Sequence, residues 1–73
     1  MSLLQAPNQR VMKVTRIDAQ SPVFYRLMEL GVIEGASISV VGRAPLGGPL
    51  HVRLGDYDLS LRAEDAAAIQ VDI

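Results

Sequence analysis

The chain has 73 residues, with seven basic and eight acidic side chains, a formal charge of -1, one histidine and no cysteine. That length bounds a single domain with a modest core, the missing cysteines exclude disulfides and thiolate metal sites, and the balanced charge argues against nucleic acid, which calls for a basic stripe. No apolar run reaches the roughly 20 residues of a membrane helix, and MSLLQAPNQR lacks a signal peptide's basic and apolar regions, so a cytoplasmic, non-membrane protein is expected.

There is no internal repeat, low-complexity tract or linker, so residues 1–73 read as one domain, with residues 1–8 loosely ordered or only partly docked. Arg10 to Ile17 mixes β-branched and charged residues and predicts a first strand of imperfect alternation. SPVFYRLMELG predicts a helix of about three turns. Ser21 caps it, Pro22 takes its first position, and Gly31 ends it in a left-handed conformation. Phe24, Leu27 and Met28 fall at i, i+3 and i+4 as a stripe for the core, with Met28 as filler, while Tyr25, Arg26 and Glu29 point away.

Glu34-Gly35 makes a turn, after which Ile38 and Val40 share one strand face and Ser37, Ser39 and Val41 the other. Leu50 to Leu54 and Tyr57 to Leu61 alternate around Gly55-Asp56, a two-residue loop that favours a type I′ or II′ turn. Such a turn sets the register. Leu54 then faces Tyr57, Val52 faces Leu59 and Leu50 faces Leu61 on the inner side, while Arg53 faces Asp58 and His51 faces Ser60 on the outer side. AEDAAA is a short helical or 3₁₀-like link, and Ile69, Val71 and Ile73 share one side of a last strand. Five short strands with one apolar face each bury it by curling. The expected fold is all-β, a small SH3-like barrel with one short α-helix between strands 1 and 2 plugging an end.

Three segments carry a family likeness: the helix end and turn LMELGVIEG, the loop APLGGP and the return strand LSLRAEDAAAI. Together, in this order, they resemble the FeoA family of small ferrous-iron-transport proteins, over about Ser21 to Val71. The resemblance implies an SH3-like barrel, a cytoplasmic location and association with FeoB, a membrane ferrous iron transporter with a cytoplasmic GTPase domain. Similar domains form C-terminal modules of metal-dependent repressors. The start at Met1 and the lack of a helix-turn-helix favour the stand-alone form. Gly48 stands where the family usually carries an acidic residue, and APNQR where a glycine turn is common.

The loop from Ala44 to Pro49 poses the main functional question, because loops normally present polar groups to water. Leu46 has two readings: a lid folded back over the barrel mouth, or a docking tip stiffened by Pro45 and Pro49 so that binding costs little entropy. Candidate partner-binding residues are therefore Arg43, Pro45, Leu46, Gly47, Gly48 and Pro49, with Tyr25 and Arg26 on the helix. His51, Asp56, Asp58, Glu64 and Asp65 do not converge as metal ligands, so no metal and no cofactor are expected. No nucleophile–base pair or phosphate loop is present, so no catalytic residue is assigned and an enzyme is not expected. The reading is an accessory, regulatory binding module of ferrous iron uptake, docking on the cytoplasmic part of a FeoB-type transporter. The alternatives are a module of a metal-dependent transcriptional repressor and a self-associating structural protein. Weak self-association is kept open because exposed strand edges can pair.

Overall fold

Alternation of apolar and polar residues on either side of Gly55-Asp56 builds a two-stranded unit. In the computed structural model, which describes residues 1–72, strands β3 (Leu50–Leu54) and β4 (Tyr57–Leu61) form a hairpin in the expected register, from Leu54 opposite Tyr57 to Leu50 opposite Leu61. Gly55 carries a φ of +61° and Asp56 does not share the positive φ, the type II′ pattern that suits the strand twist. One member of the inner set departs from expectation. Tyr57 is exposed, and its hydroxyl donates to the Leu30 carbonyl, satisfying an end group of the helix instead of filling the core.

The remaining strands are β1 (Met12–Ile17), β2 (Ser37–Arg43) and β5 (Ile69–Asp72), in one antiparallel sheet of order β4-β3-β2-β1-β5. Ile38 and Val40 are buried as expected, and Ile73, read as the last inward residue, lies outside the described residues. The imperfect alternation of β1 has a structural cause: its register with β5 shifts between Val14 and Arg16, so Val14 and Ile17 both face inward across a bulge. A second shift separates Val40 from Gly42 in β2. Bulges bend and twist a sheet, and these two help curl it around a core that includes Met12, Val14, Ile38, Val40, Val52, Leu61 and Ile69.

The sheet does not close by hydrogen bonds, because β4 and β5 remain its two edges. Helices bridge that gap. Helix α1 (Phe24–Glu29) sends Leu27 into the core and touches β4 through Tyr57, while Arg26 reaches Asp65 on α2 (Ala63–Ala67), the link into β5. The arrangement is SH3-like, with α1 as the plug.

Helix α1 is shorter than expected, at six residues. Ser21 spends its cap on a tight turn that precedes it: its carbonyl accepts from the Phe24 amide at 3.1 Å and its hydroxyl from Val23 at 3.3 Å. The helix ends as expected at Gly31, whose φ of +94° lets the Val32 amide return to the Leu27 carbonyl at 2.9 Å. Met28 is not core filler. It stays 44% exposed, while Leu27 is the fully buried residue of this short helix and Phe24 packs half-buried against the core.

Residues 1–8, expected to be loose, are docked. Leu3 is 0% exposed and Ala6 is buried, within and beside a 3₁₀ turn at Leu3–Gln5. Ser2 bridges Gln70, and the Val71 amide donates to Met1 O at 2.8 Å, so this segment also covers the outer edge of β5.

Candidate functional site

The segment between β2 and β3 is a closed, rigid turn. The Ala44 amide donates to the Pro49 carbonyl at 3.0 Å across its neck, and the Gly48 amide to the Pro45 carbonyl at 3.2 Å across its tip. The two central residues, Leu46 and Gly47, have φ values of +59° and +73°, the signs a type I′ turn requires. Glycine adopts that conformation freely; leucine pays about 1–2 kcal/mol, because its Cβ crowds the following carbonyl. Gly48 is required for another reason, since a Cβ there would lie 2.7 Å from the Ala44 Cβ. The acidic residue that the resemblance leads one to expect at this position therefore does not fit this form of the turn.

Leu46 is fully exposed, at 104% of its reference area, and Pro45 and Pro49 beside it are exposed too. The lid reading is therefore excluded. A large apolar side chain stands in water on a strained backbone, held by proline on both flanks. Strain of this kind persists only where the surroundings over-determine it, and it concentrates at functional positions.

The other candidates divide. Tyr25 is exposed, packed edge-on to Phe24 with ring centroids 5.2 Å apart. Arg26 is turned back on the protein: its guanidinium bonds the Asp65 carboxylate, which is 1% exposed and also accepts the Arg62 amide at 2.8 Å. Arg43 is likewise directed inward along the chain, donating through Nε to Asn8 Oδ1 at 2.8 Å, through Nη1 to Leu4 O at 2.6 Å, and through Nη2 to Ala6 O. Glu64 and Asp65 diverge as expected, one exposed and one buried. The anchoring role of Asp65 escaped the sequence reading, although acidic residues in a first helical turn are a known signal.

One further feature went unread. Phe24, Met28, Ile17 and Ile33 line an open, mainly apolar groove of about 690 Å³, rimmed by Arg16, Asp18 and Glu34. It lies between α1, the end of β1 and the turn before β2, and Met28 and Ile33 are its exposed large apolar members.

On the outer face of the hairpin, Asp58 accepts from Arg53 Nε at 2.7 Å and Nη2 at 3.1 Å, and lies 2.9 Å from His51 Nε2. The Arg53 guanidinium, followed by the His51 ring, lowers the Asp58 carboxyl to about 2. The same pairing raises the pKa of Arg53. Both Asp58 oxygens are thus engaged, and no group of three or more His, Cys, Asp or Glu side chains gathers around one point among the described residues. Nor is any described helix long and apolar enough to cross a membrane.

Comparison with known proteins bears on what this arrangement serves. The FeoA domain family matches residues 1–73. An Fe(2+) transport protein A/Fe(2+) transporter FeoB fusion protein of Porphyromonas gingivalis is 38% identical over 73 residues, all of this chain and 8% of that relative's length. The NMR structure of an FeoA-like protein from Clostridium acetobutylicum is 34% identical, with a TM-score of 0.91 over 100% of this chain and 85% of that one. The crystal structure of Stenotrophomonas maltophilia FeoA complexed with zinc, described as a prokaryotic SH3 domain protein, is 30% identical, with a TM-score of 0.84 over 99% of this chain and 89% of that one. A match along the entire length, a relative 38% identical over it and two solved structures at 30% identity or more with the same fold show that the chain belongs to the FeoA domain family.

Proposed function

We propose that this chain is a non-enzymatic, cytoplasmic accessory module of ferrous iron uptake that docks on the cytoplasmic part of a FeoB-type transporter. The observation that carries the reading is Leu46, wholly exposed at a positive φ on a turn closed by two hydrogen bonds. A rigid apolar tip loses little entropy when it is covered, so its burial is available to stabilise a complex. The choice of partner is supported by the Porphyromonas gingivalis relative, whose name joins Fe(2+) transport protein A and the transporter FeoB in one fusion protein. A suggested role as a ferrous iron transport activating factor accompanies the Stenotrophomonas maltophilia protein.

The mechanism we favour is reversible association through residues 45–49, with Tyr25 on α1 as a second contact. Binding one conformation of the transporter more tightly than another shifts its populations without chemistry at this chain. Co-purification with the whole transporter and with its soluble GTPase domain, each repeated with Leu46→Asp, tests the reading. The variant is expected to lose association while its melting temperature stays within a few degrees of the parent, because aspartate tolerates the left-handed region and no packing is lost. Unchanged association in Leu46→Asp would defeat the proposal.

A further inference from the structure

We infer that Arg43 is a positioning residue, a clasp that ties residues 1–9 to the root of the Leu46 turn and makes that leading segment part of the scaffold of the docking tip. The binding arm of this inference rests on the docking reading; its structural arm does not.

β1 accompanies β2 only at its start, through Lys13 opposite Ser37 and Met12 opposite Ile38. From Val40 to Arg43, the stretch that enters the turn, β2 has left β1, and its ladder with β3 is interrupted between Val40 and Gly42. Within the sheet that stretch is held from one side only, by β3, with Val40 opposite Val52, Gly42 opposite His51 and Arg43 opposite Leu50. The leading segment takes the vacated side. The Gln9 amide donates to Val40 O at 2.7 Å, Gln9 Nε2 donates to Val41 O at 2.7 Å, and Asn8 forms a parallel bridge with Val40.

Arg43 locks this second layer in place. Its fork reaches Leu4 O, Ala6 O and Asn8 Oδ1, three acceptors on alternate residues, from the last position of β2. A planar guanidinium with donors in fixed directions matches such a row; a lysine ammonium is a single point on a flexible stem and does not. Leu3, buried in the core, anchors the far end, and Gln9 is held at a φ of +61° that a free segment would relax. The guanidinium is thus occupied by the chain's own acceptors, so its contribution to docking runs through the turn it supports.

Amide hydrogen exchange on the full chain carrying Arg43→Lys or Arg43→Ala tests the clasp, with the β3–β4 hairpin amides as internal reference. The amides of Gln9, Ala44 and Gly48 are expected to exchange about tenfold faster in both variants, beyond any change in the hairpin, because several charge-assisted hydrogen bonds are lost locally. Association with the FeoB-type transporter should weaken by a similar factor in both, although Leu46 is untouched. Protection in Arg43→Lys equal to that of the parent would overturn the inference, since positive charge alone would then suffice. So would loss of association with no local change in exchange, which would make Arg43 a direct contact. Failure of the parent chain to bind the transporter would sink the docking reading alone, leaving the exchange result to decide the clasp.

Discussion

Leucine at positive φ is the residue-scale signature of this molecule. Sequence reasoning found Leu46 because an apolar side chain sat among prolines and glycines, but its direction depended on a dihedral that Gly47 and Gly48 permit without dictating. Asp58 shows the reverse case: its pairing with Arg53 followed from register alone, whereas the approach of His51 from the neighbouring row came only with coordinates. Because Asp58 titrates at about 2 instead of 3.8, its ion pair contributes to stability above the ordinary carboxylate range and is lost as pH falls through about 2. The group lies in water, so salt weakens the effect. NMR titration of the Asp58 side chain should give a midpoint near 2, moving up toward the ordinary value in Arg53→Ala. A midpoint unmoved by that substitution would mean that Arg53 does not hold the carboxylate.

At the scale of elements, the hairpin was legible throughout because a two-residue turn leaves one register in which the apolar and polar sets stay apart. Helix α1 was legible in type and in its Gly31 ending, but not in length. Ser21 and Pro22 serve equally well to start a tight turn, and that turn consumed what looked like the first helical turn. Asp65 belongs to this scale, since it joins α1 to α2 while capping its own helix. Asp65→Ala should destabilise the protein by about 2–3 kcal/mol, the sum of a lost cap and a lost charge-assisted bond, toward the low end because Arg26 regains water. Asp65→Asn should lose roughly half as much, since its amide oxygen still accepts from Arg62. Chemical denaturation of the two variants checks the order. Equal losses would show that the cap contributes nothing.

For the molecule as a whole, the leading segment runs from the outer edge of β5 to the side of β2 that β1 leaves uncovered. Composition suggested a loose start because MSLLQAPNQR has no periodicity, yet Leu3 enters the core and Ser2 pairs with β5. A chain this short buries only about 60% of its unfolded surface, so each fully buried leucine is a large share of its stability. Leu3→Ala is expected to cost about 2–5 kcal/mol, as other buried leucines do on truncation. Thermal or denaturant melting decides the matter, and a loss under half a kilocalorie would mean that this segment is merely draped on the surface.

By itself the sequence determined the all-β class, the order of strands around one short helix, the hairpin register and the oddity of an apolar loop, because these follow from local alternation and turn chemistry. Only the tertiary structure decided that Leu46 faces water, that Arg26 and Arg43 bind the chain's own acceptors, and that residues 1–9 complete the sheet. The first rests on one left-handed dihedral in the turn, and the others on which groups meet across 30 to 70 positions of chain. A guanidinium or a leucine takes whichever acceptor or cavity folding brings beside it, and no local pattern encodes that choice.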